Sequence, residues 1–282
     1  MSHPAAETFR QAAKLNAMDP WRDGNVVNLP GDREAIVAGD LHGNRAGLAK
    51  IVAYADLDRF SCRCLVLQEL IHGPPDERAG QDRSVEVLLR AARLRIVHPQ
   101  QVLFVLTNHD VAQMTGGEVM KDGREQCRQF DAGVRFAFGD GAEEVRAAVG
   151  EFLRSMPLAV RCDNGTLISH SLPSPRRAPA GLEVLVRPYR PEDLARGGAV
   201  YEWTWGRGHT EEHLEALAGL LGVKFFVLGH QPTEMGYELL GQRAIIIASD
   251  HEHGCVLHLP ADAQPTAENA ESFTRPLAAM RV

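Results

Sequence analysis

The sequence predicts a layered α/β domain, and two patterns carry that prediction. Apolar runs of strand length recur along the chain and end in polar, ligand-type residues, and amphipathic stretches of helical length lie between them. Binding sites in such folds gather at strand ends, so the residues that close each run are where function is sought.

Taken in order, Ala5 to Met18 places Phe9, Ala12, Leu15 and Met18 at helical spacing ahead of Asp19-Pro20, which reads as an N-terminal helix over 5–18. Asn25-Val26-Val27-Asn28-Leu29 and Ala35-Ile36-Val37-Ala38 read as strands around a Pro30-Gly31-Asp32 turn, and the second leads into Gly39-Asp40-Leu41-His42-Gly43-Asn44. Cys64-Leu65-Val66-Leu67 then leads to Gln68-Glu69, and Val102-Leu103-Phe104-Val105-Leu106 to Thr107-Asn108-His109-Asp110. Gly165-Thr166-Leu167-Ile168-Ser169 delivers His170, and Lys224-Phe225-Phe226-Val227-Leu228-Gly229 delivers His230. Helices are expected over 46–55, 84–95, 143–155 and 211–221. Residues 176–198, rich in Pro, Arg and Gly, read as an irregular excursion, and 260–282 as a polar, loosely held tail. Nothing resembling a repeat, a low-complexity block or a linker divides the chain, so its 282 residues are expected to form a single domain.

A composition of 44% hydrophobic and 24% charged residues is that of an ordinary globular protein, and the net charge of -7 argues against a general binder of nucleic-acid polymers or anionic membranes. Phosphate can still be bound where cations are concentrated at one site. Cys62 and Cys64 are one residue apart, which suits neither a redox pair nor a zinc knuckle, so the five cysteines are expected to be reduced structural thiols. The N-terminus lacks the basic flank and apolar run of a signal peptide, and no segment approaches roughly 18 consecutive apolar residues, so a cytoplasmic location is expected.

Two divalent cations about 3.5–4 Å apart need a bridging carboxylate together with imidazole, carboxylate and amide ligands from several loops, because no short peptide can surround both ions. The strand-closing residues offer that set, with Asp40 and His42 placed to share one ion on a loop that Gly39 and Gly43 allow to turn tightly. Singly, each has a structural alternative: Asp40 as a helix cap, His170 as a satisfied core histidine, Asn108 as the anchor of an Asx turn. Their recurrence at successive strand ends favours a metal site. Oxygen and imidazole ligands without thiolate suit manganese, iron or zinc, manganese first.

The order of motifs resembles the calcineurin-like metallophosphoesterase superfamily, and within it the PPP-type serine/threonine phosphatases and their bacterial diadenosine tetraphosphate hydrolase relatives. The resemblance runs from about Val37 to Val256. It rests on Gly39-Asp40-Leu41-His42-Gly43 as the G-D-x-H-G opening and on Asn108-His109-Asp110, with Thr107 in place of the family's glycine. Ser155-Met156-Pro157-Leu158 followed by Ile168-Ser169-His170, and then Gly229-His230, complete the series. The resemblance implies a four-layer α/β/β/α sandwich of two mixed sheets flanked by helices, with two divalent metal ions at one sheet edge. It assigns Asp40, His42 and a bridging acid to one ion, and the same acid, Asn108, His170 and His230 to the other.

Glu69 falls at the bridging position, where Gln68-Glu69 departs from the family's Gly-Asp by one methylene in the acid. The family mechanism, hydrolysis of a phosphate monoester by a metal-bridging hydroxide, makes His109 the acid that protonates the leaving oxygen. The family also supplies a second aspartate that orients this histidine and an arginine that grips phosphate, but this chain reads Leu70-Ile71-His72-Gly73-Pro74 there and has neither. Asp110 is the candidate to position His109. Arg207, in Trp203-Thr204-Trp205-Gly206-Arg207, is the candidate phosphate-gripping cation, with Arg78 and Arg83 as substitutes. Asn108 and His251, the latter in Ser249-Asp250-His251-Glu252-His253, are further candidate phosphate contacts. The expected partner is a phosphorylated protein or a phosphorylated small molecule or nucleotide. A dinucleoside polyphosphate hydrolase and a catalytically decayed metal- or phosphate-binding module stand as alternatives.

Overall fold

The N-terminal helix α1 (Pro4–Ala17) starts one residue earlier than the apolar spacing suggests, because the His3 side chain accepts from Ala5 N and proline occupies the first turn. The computed structural model describes residues 2–121, 123–175 and 181–281. Within it the chain continues through β1 (Arg22–Asp23), β2 (Val26–Leu29), β3 (Glu34–Asp40), α2 (Arg45–Ala55), β4 (Arg63–Gln68), α3 (Ser84–Val97), β5 (Val102–Phe104) and α4 (Asn108–Thr115). A short hairpin of β6 (Met120–Lys121) and β7 (Arg124–Glu125) precedes α5 (Gln126–Phe138), α6 (Ala142–Arg154), β8 (Ala159–Cys162) and β9 (Thr166–Ser169). Then come α7 (Pro191–Leu194), α8 (Ala199–Trp205), α9 (Glu211–Leu221), β10 (Phe225–Leu228), β11 (Tyr237–Leu240), β12 (Ala244–Ile247), β13 (Cys255–Leu259) and β14 (Thr274–Pro276).

The strands form two mixed sheets, one in the order β1-β2-β8-β9-β10-β12-β11 and the other β14-β13-β3-β4-β5. Side chains alternate between their faces. Ala35 and Val37 of β3 share a core with Val66, Ile168, Val227 and Ile245, drawn from both sheets. Ile36 and Ala38 belong instead to the larger core that contains Leu48 and Ile51 of α2, Leu88 of α3 and Leu214 of α9. One face of each sheet therefore meets the other sheet and the opposite face is covered by helices, which is the expected α/β/β/α sandwich.

Two sequence expectations change. The tail expected to be loosely held is docked: β14 pairs antiparallel with β13, and Ala270, Leu277 and Met280 are buried. Of the excursion over 176–198, residues 176–180 lie outside the described residues, and the remainder carries a 3-10 turn at Leu182–Leu185 and α7. All five cysteines are free thiols, and no helix among the described residues is long and apolar enough to cross a membrane.

At one point the two sheets are stitched directly. Asp40, at the end of β3, bridges Ala248 just beyond β12. Ser249 N donates to Asp40 O at 2.9 Å, and the Ser249 hydroxyl accepts from Gly39 N at 3.0 Å while donating to Cys255 O at 2.7 Å. A Cβ on Gly39 would lie 1.9 Å from the Ile247 carbonyl oxygen, so the approach is open only to glycine. The substitution Gly39→Ala is expected to lower stability by at least about 1–3 kcal/mol, read as a fall in the midpoint of urea unfolding at unchanged slope.

Candidate functional site

Strand exits of both sheets converge beside this junction. Asp40 ends β3, Glu69 follows β4, Asn108 opens α4, His170 follows β9 and His230 follows β10. Leu41 N and His42 N both donate to Glu69 O, at 3.0 and 2.7 Å, which ties the β3 and β4 exits together. The backbone N–H of His230 donates to Asp40 Oδ1 at 3.0 Å. His42, Glu69, His72 and His230 all adopt left-handed backbone, with φ of 40°, 47°, 61° and 68°. For non-glycine residues such strain is typical of functional sites.

The hydrogen bonds around His170 test whether a cation fits. Gln68 Nε2 donates to Ala38 O at 3.1 Å, which turns Gln68 Oε1 toward His170 Nδ1 at 3.0 Å. An amide oxygen only accepts, so His170 carries its proton on Nδ1. Burial holds His170 below the usual imidazole range, so the ring is neutral and presents a lone pair at Nε2. That nitrogen lies 2.7 Å from Asn108 Oδ1 and 3.1 Å from Glu69 Oε2. His230 Nδ1 approaches the same Asn108 oxygen at 3.2 Å. Electron-pair donors this close repel unless a positive charge lies among them, so the donor set fits a cation.

His42 is arranged alike: its Nδ1 donates to Ile71 O at 3.2 Å, and Nε2 lies 4.0 Å from Asp40 Oδ2. Ligand atoms of Asp40, Glu69 and His170 lie within 4.8 Å of one another, and so do those of His42, Glu69 and His109. Glu69 is common to both groups, which is the geometry a bridging acid needs.

Asp110 and Thr107 form a capping box at the start of α4. The Thr107 hydroxyl lies 2.7 Å from Asp110 Oδ2 and 3.0 Å from Glu69 Oε1. Burial, then the neighbouring Glu69, pushes Asp110 up to about 7. Below that pH a protonated Asp110 donates to Thr107 and leaves the hydroxyl proton for Glu69. Asp110 thereby reaches the site through Glu69, whereas the His109 ring is bonded to His72, Nδ1 to Nδ1 at 2.8 Å.

A cavity of about 280 Å³ opens onto these residues, lined among others by Asp40, His42, Asn108, His109, Arg207 and His230. Arg207 is exposed at its mouth. Asp250 lines this cavity, whereas His251 is not among its lining residues and keeps Nε2 buried without a hydrogen-bond partner. Arg78 borders a separate cavity with Phe136, whereas Arg83 borders both that one and a further cavity that reaches His42 and Asp250. Trp203 is a core residue that donates to Gly181 O at 2.9 Å. Trp205 is half-buried with its ring edge-on to His230, centroids 6.2 Å apart. Sequence reasoning left His72 evenly balanced between a functional and a structural part and gave no role to Gln68, although both stand where the family motif is altered, nor to Gln113 or Asp131.

Gln68→Ala is expected to weaken divalent-metal binding by about 10–100-fold in titration calorimetry, because His170 loses the partner that sets its ring and tautomer. Burial holds the Asp40 carboxyl up to about 7, so in the metal-free protein it is protonated below that pH and must lose its proton to become a ligand. Metal affinity is therefore expected to climb by roughly tenfold per pH unit below about 7 and to level off above it, with proton release at pH 6 that vanishes by pH 8.5 in calorimetry with buffers of different ionisation enthalpy.

The sequence matches no protein-family model and no curated protein. The fold matches solved structures. A protein serine/threonine phosphatase from Saccharomyces cerevisiae, with similarity to human phosphatase PP5, superposes with a TM-score of 0.70 at 16% identity, covering 99% of this chain and 90% of that one. A cold-active protein-tyrosine phosphatase of a psychrophilic Shewanella superposes with a TM-score of 0.61 at 15% identity, covering 90% and 84%. At these identities the likeness shows the fold: the chain is built as these phosphatases are, the architecture implied by its resemblance to the metallophosphoesterase superfamily.

Proposed function

We propose that the protein is a cytoplasmic phosphoesterase that hydrolyses phosphate monoesters with two divalent metal ions, manganese first among them. The observation that carries this reading is the convergence of lone pairs from Glu69, Asn108 and His170, of which Asn108 lines a cavity that also holds His109 and Arg207. Asp40, His42 and Glu69 would hold one ion, and Glu69, Asn108, His170 and His230 the other. Bound there, the ions would draw charge from the phosphate oxygens and make water nucleophilic at neutral pH.

The protein's own groups supply the rest. Arg207 projects a permanent positive charge into the cavity mouth and attracts the dianionic ester. His109 stands on the first turn of α4, where it delivers a proton to the leaving oxygen as the P–O bond breaks. Leu41, Ile71 and Val105 are buried around the strand exits, so the ligands rest on packed walls that exclude bulk water.

The test is hydrolysis of an aryl phosphate by metal-stripped protein with Mn, Zn or Mg restored. Activity is expected to require metal and to fall at least about a hundredfold in both Asp40→Asn and His109→Ala, since a general acid contributes about 10²–10⁴. Two ions bound with no turnover of any phosphate ester would overturn the reading in favour of a binding module. Arg207→Ala is expected to raise KM by about tenfold, the worth of one hydrogen bond to a charged group. A phosphopeptide assayed beside diadenosine tetraphosphate assigns the substrate class.

A further inference from the structure

We infer that His72 is the positioning residue for His109, and that a hydrogen-bonded relay through His72, Gln113 and Asp131 fixes the ring and tautomer of the proposed acid. This rests on the phosphoesterase reading only for the destination of the proton; the relay itself is read from geometry.

The relay's polarity can be worked out from its far end. Gln113 Nε2 donates to Asp131 Oδ1 at 3.0 Å, which orients the amide and leaves Oε1 as the acceptor. His72 Nε2 lies 2.9 Å from that oxygen and must therefore donate to it. In a neutral His72 the proton on Nε2 leaves Nδ1 bare, and this nitrogen faces His109 Nδ1 at 2.8 Å. Two bare nitrogens cannot approach so closely, so His109 carries a proton on Nδ1 and donates it to His72. The remaining nitrogen of His109, Nε2, is the one that exchanges the catalytic proton.

This arrangement suits the chemistry step by step. As the acid His109 is an imidazolium, with Nδ1–H held by His72 and a second proton taken up from solvent on Nε2; when it protonates the leaving oxygen, the N–H bond at Nε2 breaks, an O–H bond forms on the departing alcohol, and the ring returns to neutrality with its proton on Nδ1. That is the tautomer His72 already accepts from, so no second proton has to move. The relay is built into the fold: His72 is 1% exposed and His109 7%, His72 packs edge-on against Phe130 with centroids 5.7 Å apart, and its own φ is 61°. Its members come from the segment after β4, from α4 and from α5. In the metallophosphoesterase motif an aspartate orients this histidine, and His72 stands where that aspartate would fall.

The first test needs no variant. Long-range ¹H–¹⁵N spectra of metal-free and zinc-loaded wild-type protein are expected to show His109 protonated on Nδ1 and His72 on Nε2; the opposite tautomers in both forms would overturn the proposal whatever the enzyme's activity. The second uses leaving groups. His72→Leu is expected to lower kcat for phenyl phosphate by about 10–100-fold with KM moved less than threefold. It should lower kcat several-fold less for 2,4-dinitrophenyl phosphate, whose leaving group needs no proton. His72→Asn, which restores an acceptor beside His109 Nδ1, is expected to recover at least half of the loss on a logarithmic scale. Equal losses on both substrates, or an Asn variant no better than Leu while folded and metal-loaded, would show that His72 only fills space. A wild-type protein with the expected tautomers and no turnover would sink the phosphoesterase reading and leave the relay standing.

Discussion

Everything at the site depends on how closely two backbones pass each other. The exit of β3 reaches across to the segment after β12, where the absence of a side chain at Gly39 admits the Ile247 carbonyl. Once the sheets are joined there, Asp40 is held between them and its carboxylate receives the His230 backbone N–H from the segment that follows β10 of the other sheet. Gly229 repeats the device one position before His230: a Cβ there would lie 2.5 Å from Asp40 Oδ1 and 3.0 Å from Gln68 Oε1. Ligands from distant parts of the chain are thus set by main-chain contacts, which move less than side chains do.

That rigidity also sustains the left-handed residues at the site. An L residue with positive φ costs of order 1–3 kcal/mol unless its surroundings over-determine it. Here the surroundings do: the His42 backbone is tied to Glu69, the His42 ring to Ile71, the Glu69 carboxylate to Thr107, and the His72 ring to both His109 and Gln113. Among the described residues the remaining non-glycine residue of this kind, Asp56, closes α2 as an ordinary left-handed cap. Strain and chemistry coincide because a strand that must turn abruptly to aim its last side chain inward has few backbone conformations open to it.

The sandwich was legible in the sequence because its strands are buried on both faces and read as short apolar runs. The strands around Val37, Val66, Ile168 and Val227 lie where those runs do. Helix limits expected from spacing differ from those found by up to two residues, and α9 falls where expected. Helix α5 was missed although it is amphipathic, since its apolar residues follow a glycine-rich stretch that reads as loop. The residues that converge on the proposed metals were legible because each ends or closely follows an apolar run, a local signal. The pairing of His72 with His109, and of Gln113 with Asp131, is not local: these residues lie on different elements, and only the packing of α4 and α5 around the 70–83 segment brings them together. The C-terminal segment deceived for the opposite reason, because its polar composition hides the few apolar anchors, Ala270, Leu277 and Met280, that dock it.

Gly73 stands where the metallophosphoesterase motif carries its phosphate-gripping arginine, and it is packed hard against the turn at His42 and Gly43. A Cβ on it would lie 2.7 Å from the His42 carbonyl oxygen and 3.2 Å from Gly43 Cα. No side chain can be regained here unless that turn, which carries a proposed ligand, retreats first. A side chain at position 73 and the His42 turn therefore compete for one space, so any cation that meets an anion in this cavity has to reach it from the rim, as Arg207 does, and not from the floor.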